Sequence, residues 1–160
     1  MLGGFGLPGP PHNSCQSVLN SLNAHIAVLD QEGIIVAVND AWRRFAVDNG
    51  DPSAPAVGVG ADYLGACRQA AAEGDEVADQ VLEGISAVKS GQQPCFSLEY
   101  PCHSPDQARW FIMSVTRLSD GSDGVVVSHE DITARRLAVD ALRKSHELLE
   151  QRVSESTAEL

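Results

Sequence analysis

Gly124-Val125-Val126-Val127-Ser128-His129-Glu130-Asp131-Ile132-Thr133, running on as ARRLAVDALRKSHELLEQRVSESTAEL over residues 134–160, decides how this chain is built. The β-branched run Val125-Val126-Val127 reads as a strand, because branched side chains fit a pleated surface. It passes through His129 to Thr133 straight into a charged, leucine-bearing helix. A strand that feeds directly into a long exit helix is built to pass a signal.

The exit helix can be counted. From Val139 the apolar positions fall at Val139, Leu142, Leu149, Val153 and Leu160, with His146 and Ser156 in the two intervening slots. This is the 3-4 spacing of a heptad seam. Three heptads with two polar seam positions predict a weak coiled coil, with Val139, Leu142, Leu149 and Val153 at a dimer contact. Glu147, Glu150, Arg152 and Glu155 fall outside the seam, as solvated positions should. The alternative is a single amphipathic helix folded back on its own domain.

At 160 residues the chain is one domain, or one domain with appendages. A hydrophobic content of 43% with 21% charged residues is that of a globular protein with a real core. The net charge of −11 argues against nucleic acid and against anionic membrane surfaces, since phosphate binding needs clustered Lys and Arg. No run approaches the eighteen or so apolar residues of a membrane span, and Met1 to His12 lacks the charged start of a secretory signal. The expectation is a cytoplasmic protein with no membrane insertion. Cys15, Cys67, Cys95 and Cys102 show no C-x-x-C pair or repeated ligand spacing, so they read as reduced thiols, with no metal site.

Residues 1–12 are rich in Gly and Pro and read as a flexible tail. Asn13 or Ser14 then caps a short helix with the apolar face Cys15, Val18, Leu19 and Leu22. His25–Asp30 and Ile34–Asn39 form a hairpin about Gln31-Glu32-Gly33. Asp40 caps a helix with Trp42, Phe45 and Ala46 on one face, stopped by Asn49-Gly50, and a loop follows to Gly60. Asp62 caps the next helix, with Leu64, Cys67 and Ala71 inward. Asp75 starts another, with the stripe Val77, Val81, Ile85 and Val88. Three strands follow, Cys95–Cys102, Arg109–Leu118 and Gly124–Glu130. In the middle one Phe111, Met113 and Val115 alternate with Trp110, Ile112 and Ser114, so both faces need cover. The middle helices cover one. The N-terminal helix, the exit helix or a second copy of the chain is left for the other, which is an argument for a homodimer.

With the strand order in place, the chain resembles the PAS domains of signalling proteins. The likeness rests on Asn39-Asp40-Ala41 after the second strand, on Arg109-Trp110-Phe111 with Val115-Thr116 in the fourth, and on Asp131-Ile132-Thr133 at the strand-to-helix junction. Ser145 to Leu160 also resembles the helical linker that joins such domains to a histidine kinase, a diguanylate cyclase or a further sensory domain. The resemblance implies an α+β fold: a five-stranded antiparallel sheet with helices on one face, an N-terminal flanking helix and a long C-terminal exit helix. The expected organisation is a tail over 1–12, the domain over 13–132 and the signalling helix over 133–160.

It also implies a small pocket, for which Phe45, Phe111, Met113, Val127 and His129 are the candidates, with Leu64, Val81 and Ile85 as helical walls. Asp131 and Thr133 are the signal-coupling candidates, since the family's Asp and Thr bond across the junction; Asp131 acting as a helix cap is the simpler alternative. Flavin-binding relatives use a cysteine in an N-C-R-F-L-Q helix, an inward Asn and an inward Gln. Here only Cys67-Arg68 is kept, and Phe111 and His129 stand at the other two places, so flavin is disfavoured and Cys67 reads as a buried small hydrophobe. Haem-binding relatives carry a ligand His on the helix matching residues 75–90, which has none, so haem is disfavoured too.

No cofactor is assigned. His129 is a hydrogen-bonded core histidine, a pH-sensitive ligand contact, or a metal ligand. Cys102-His103 is no dyad on a regular strand, because neighbours point to opposite faces. The expectation is therefore a non-enzymatic sensory or regulatory module that binds a small apolar ligand, dimerises, and signals to a C-terminal output domain or a partner kinase or cyclase. The alternative is a ligand-free dimerisation module. An enzyme reading requires a thiol of depressed pKa at Cys67 or Cys102.

Overall fold

The computed structural model describes residues 12–48 and 58–159. Of the expected tail over 1–12, residues 1–11 lie outside the described residues, as do the Asn49-Gly50 stop, most of the loop before Gly60, the seam residue Leu160 and the side chains of Asn13 and Ser14; His12 is the first residue of a helix rather than part of a tail. In chain order the elements are α1 (His12–Asn20), β1 (His25–Leu29), β2 (Ile35–Val38), α2 (Asp40–Asp48), α3 (Tyr63–Ala72), α4 (Glu76–Lys89), β3 (Cys95–Pro101), β4 (Trp110–Arg117), β5 (Val125–Asp131) and α5 (Thr133–Ala158). The five strands form one antiparallel sheet in the order β2-β1-β5-β4-β3. The last strand of the sequence is therefore the middle strand of the sheet, and it is the one that runs into α5.

Contacts divide the chain into two compact units. The larger runs to Leu98 and returns for Met113–Glu130; the smaller holds Glu99–Ile112 and everything from Asp131 onward. In the larger unit, Leu29, Ile35, Val88, Val115, Val125 and Val127 are fully buried, and Val81, Ile85 and Met113 nearly so. The expected stripe of α4 is thus inward at Val81, Ile85 and Val88, the i, i+4, i+7 positions of one helix face. Halfway along α4, Gly84 lies where an added Cβ would stand 2.4 Å from the Phe96 ring, so the helix can approach β3 closely only without a side chain there.

Local chemistry sets the turns. Asp30 Oδ1 accepts from the backbone N–H groups of Glu32 and Ile34, both at 2.9 Å, which folds the β1–β2 turn as an Asx turn. Gly33 completes it at φ +89°, where a side chain would be strained and would also collide with Leu64. Asp62 caps α3 by accepting from Gly65 N at 2.7 Å, and Asp75 caps α4 through Val77 N and Ala78 N, as the sequence predicts.

Two expectations are corrected. The cap of α2 is Asn39, whose Oδ1 accepts from Trp42 N at 2.9 Å; Asp40 instead pairs with Arg43 on the surface. A fully buried Asn competes better for that role than an exposed Asp because its amide also satisfies carbonyls on the other side. The apolar face of α1 is not turned inward: Cys15, Val18 and Leu22 are exposed. Gln16 and Asn20 hold this helix instead. Gln16 Nε2 donates to Val38 O at 3.0 Å, and Asn20 Oδ1 accepts from Asp40 N at 3.0 Å.

In the smaller unit β3 ends at Pro101, and Ser104 and Gln107 close the link to β4. Phe111 and Ile132 are its buried residues, at 2% and 3% exposure. Along β4, Phe111, Met113 and Val115 are buried while Trp110, Ile112 and Ser114 are half-buried, so both faces carry cover. The 26 residues of α5 span about 39 Å at helical rise, and none is buried. Leu137, Val139, Leu142, Leu148, Leu149 and Val153 are between 53% and 73% exposed.

Candidate functional site

The strand-to-helix junction is assembled within the smaller unit. Asp131 Oδ1 accepts from Thr133 N at 2.9 Å, a local turn that starts α5. Thr133 Oγ1 accepts from Trp110 N at 2.9 Å, and Ile132 N donates to Trp110 O at 2.9 Å. Asp131 therefore bonds along the chain and Thr133 across it, to β4. The first turn of α5 carries Arg135 and Arg136 and no acidic residue, against the helix dipole, which favours anions at this end. Glu99 compensates: its two carboxylate oxygens lie 3.2 Å from Arg135 and 3.0 Å from Arg136. The Arg136 guanidinium also stacks over Trp110, 3.9 Å from the ring centroid.

Each link is modest. Ion pairs this exposed contribute about 0–1 kcal/mol each, an exposed cation–π contact about 0.5–1, and the Thr133 bond about 1. A junction held by roughly 2–3 kcal/mol is within reach of a ligand's differential binding energy. Of these residues the sequence reading names Asp131 and Thr133 and misses Glu99, Arg135 and Arg136. Two arginines where a helix prefers anions are the signal that could have found them.

In the larger unit, His129 stands opposite His25 in the β1–β5 ladder. Its ring lies 5.6 Å from Trp42, and Trp42 lies 6.3 Å from Tyr63. Phe45 stacks on His25 at 4.5 Å. Burial pushes the His129 pKa down to about 4, with the charge of His25 adding to it, so the imidazole is neutral at pH 7. Val81, Met113 and Val127 are 6%, 1% and 0% exposed, too little for a water-sized space to open onto them. Leu64 faces a different space, an open cleft of about 680 Å³ bounded also by Gln31, Arg68, Ser86 and Lys89, with Ile85 buried behind it at 1% exposure. Phe111 belongs to the smaller unit, against Tyr100 and Arg109.

Among the thiols, Cys67 is held in its unreactive form. Cys67 is half-buried rather than fully buried, and burial pushes its pKa up to about 11 against the opposing hydrogen bond from Tyr63. About one part in a thousand is thiolate at pH 8. Iodoacetamide at pH 8 is expected to label exposed Cys15 and Cys95 at least tenfold faster than Cys67, followed by peptide mass spectrometry; equal rates would restore Cys67 as a candidate nucleophile. His103 Nδ1 accepts from Arg109 N at 3.1 Å, which leaves that nitrogen no free lone pair for Cys102. Among the described residues no group of three or more His, Cys, Asp or Glu side chains could hold a metal ion, and no helix is long and apolar enough to cross a membrane.

A family model described as the PAS fold matches residues 19–137. An uncharacterized 104.1 kDa protein in the hypE 3′ region of Rhodobacter capsulatus is 47% identical over 119 residues, 74% of this chain and 12% of that protein. This chain thus spans a small part of that relative's length. The PAS domain of Bordetella pertussis BvgS superposes with a TM-score of 0.54 at 20% identity, covering 87% of this chain and 96% of that one. An RNA-binding light-oxygen-voltage receptor gives 0.55 at 18% identity, covering 93% and 42%. At such identities these structures show the shared fold.

Proposed function

The chain belongs to the PAS-fold family, and from that premise we propose that it is a sensory or regulatory module of a cytoplasmic signalling protein, without catalytic activity of its own. It takes a small ligand, pairs with a second copy through α5, and passes its state to a C-terminal output domain or a partner kinase or cyclase. The observation that carries this is the junction: the middle strand of the sheet continues into a 26-residue helix whose first turn is tied to Trp110 and Glu99 by several weak bonds. A ligand that favours one arrangement of those bonds moves the helix by no more than its differential affinity. The exposed row from Val139 to Val153 supports pairing, because a helix leaving so many large apolar groups in water gains from burying them against a copy. The 47% identical relative is many times longer, which supports an output module outside this segment.

A second reading, a dimerisation module without a ligand, is favoured by the near-zero exposure of Val81, Met113 and Val127 among the expected pocket residues. Native mass spectrometry separates the two. A dimer carrying extra non-covalent mass is expected for the sensor, and a dimer of bare polypeptide mass for the second reading. Leu142→Lys is expected to raise the dimer dissociation constant at least tenfold by placing a charge in the seam. A chain that is monomeric before the substitution would remove the role of α5 in pairing.

A further inference from the structure

We infer that the open cleft between α3, α4 and the β1–β2 turn is a binding site for a small organic monocarboxylate with an apolar body. The inference rests on the sensory reading and names the ligand class for it. Along α4, Leu82, Ser86 and Lys89 follow one another at four- and three-residue spacing and so form a continuous strip. Leu64 and Arg68 of α3 face it, and Gln31 and Glu32 of the turn close one end. The space measures about 680 Å³, ample for a ligand of roughly eight to ten heavy atoms.

The charges select the ligand. Lys89 is half-buried, and its Nζ donates to Gln31 O. Among the described residues no carboxylate lies within ion-pair distance of it. An ammonium has three donors, so two N–H groups remain directed toward the cleft's contents or water. The Ser86 hydroxyl makes no hydrogen bond among the described residues and supplies a further donor three residues away, whereas Ser90 spends its proton on Ala87 O. Arg68 is held loosely, 3.5 Å from Asp62 with both side chains at least half exposed.

The negative groups at the rim set the limit. Asp123 is paired with Arg117, but Glu32 has no cationic partner among the described residues, and the chain as a whole carries −11. Lys89 and Arg68 already offset Glu32 and Asp62, so one carboxylate leaves the cleft with a single excess negative charge and a doubly charged phosphate with two, the less favourable of the two in the field of an acidic chain. Leu64 and Leu82, both half-buried, form the apolar floor that a bare inorganic anion would leave wet.

Sodium octanoate is the probe, titrated at pH 7.5 and low salt into the 15N-labelled full chain, with 1-octanol and inorganic phosphate as controls. Octanoate is expected to shift the amide resonances of residues 31–32 and 86–90 saturably, and neither control to do so. Lys89→Gln is expected to weaken octanoate at least tenfold, Lys89→Arg to retain it within about threefold, and Arg68→Gln to weaken it less than Lys89→Gln. Octanoate that fails to bind, binds Lys89→Gln as tightly, or shifts only inner residues such as Met113 and Val127 overturns the inference. A different ligand found by native mass spectrometry alongside such a failure leaves the sensory reading standing. Octanoate bound at Lys89 without any change in α5 exchange protection supports the site and counts against signal transmission from it.

Discussion

Asn39→Ala is expected to lower the unfolding free energy by about 3–5 kcal/mol, more than any other single polar substitution in the larger unit. Asn39 is fully buried and uses its whole side chain. Its Oδ1 accepts from Ile26 N at 3.0 Å and Trp42 N at 2.9 Å. Its Nδ2 lies 2.8 Å from Ala24 O, 3.1 Å from Leu19 O and 3.3 Å from Leu22 O. One amide thereby joins the end of α1, the entry to β1 and the first turn of α2. Truncation leaves two N–H groups and up to three carbonyls without their partner, and an unsatisfied buried polar group costs about 1–3 kcal/mol. The full sum is not reached, because water enters the space left by the amide and serves some of them.

Asn39→Asp is expected to cost nearly as much. It keeps both Oδ1 contacts but turns the donor that serves three carbonyls into a second acceptor, and buries a charge beside them. Asp40→Ala is the contrast: it removes a surface pair with Arg43, both side chains about half exposed, and is expected to cost under about 1 kcal/mol. Urea unfolding of the three variants checks the order. A loss below about 1 kcal/mol for Asn39→Ala would mean that the backbone groups around it rewire without it.

These two adjacent residues also show where a sequence stops being legible. Asp62 and Asp75 are read correctly as caps because each serves only N–H groups two or three residues ahead, so the information is local. Asn39 and Asp40 are both good caps by type, and the choice between them is made by Leu19, Leu22, Ala24 and Ile26, thirteen to twenty residues upstream. The strands are legible for the same local reason: alternation at Phe111, Met113 and Val115 marks the inward face whatever the neighbouring strand is. Their order is not. That β5 is the middle strand follows from pairings such as His25 with His129, more than a hundred residues apart, which no spacing encodes. In α1 the apolar row Cys15, Val18, Leu22 satisfies the helical period yet faces water, because Gln16 and Asn20 decide which side docks. The candidate site divides likewise. Thr133 is marked by its place after a strand, whereas Glu99 and Lys89 matter only through what folding brings beside them.

The second large effect is expected from acid. His129 has its pKa lowered to about 4, first by burial and then by the charge of His25, from an ordinary value near 6.5. The unfolded chain therefore binds a proton at this residue before the folded chain does. Above about pH 6.5 both states are neutral here and His129 costs nothing. Between about pH 6.5 and 4 the unfolded state is protonated and the folded state is not, so stability falls steadily with falling pH, and below about pH 4 the loss is complete. The shift corresponds to about 3 kcal/mol of stability lost across that window.

Carboxylates titrate in the same range, so the measurement is a difference between two proteins. His129→Phe keeps a planar ring against Trp42, 5.6 Å away in the native chain, and removes the titrating group. It is expected to fold with a stability within about 1 kcal/mol of the parent at pH 7.5, since the native imidazole is neutral there. As the pH is lowered to 4, the variant is expected to gain about 3 kcal/mol on the parent, read from urea midpoints at half-unit intervals. Parallel pH profiles for the two proteins would show that the ring is hydrated enough to take up its proton in the folded state. A pH-responsive contact at His129 would then regain ground over a neutral core residue, because a histidine that titrates near 6.5 changes charge across the physiological range.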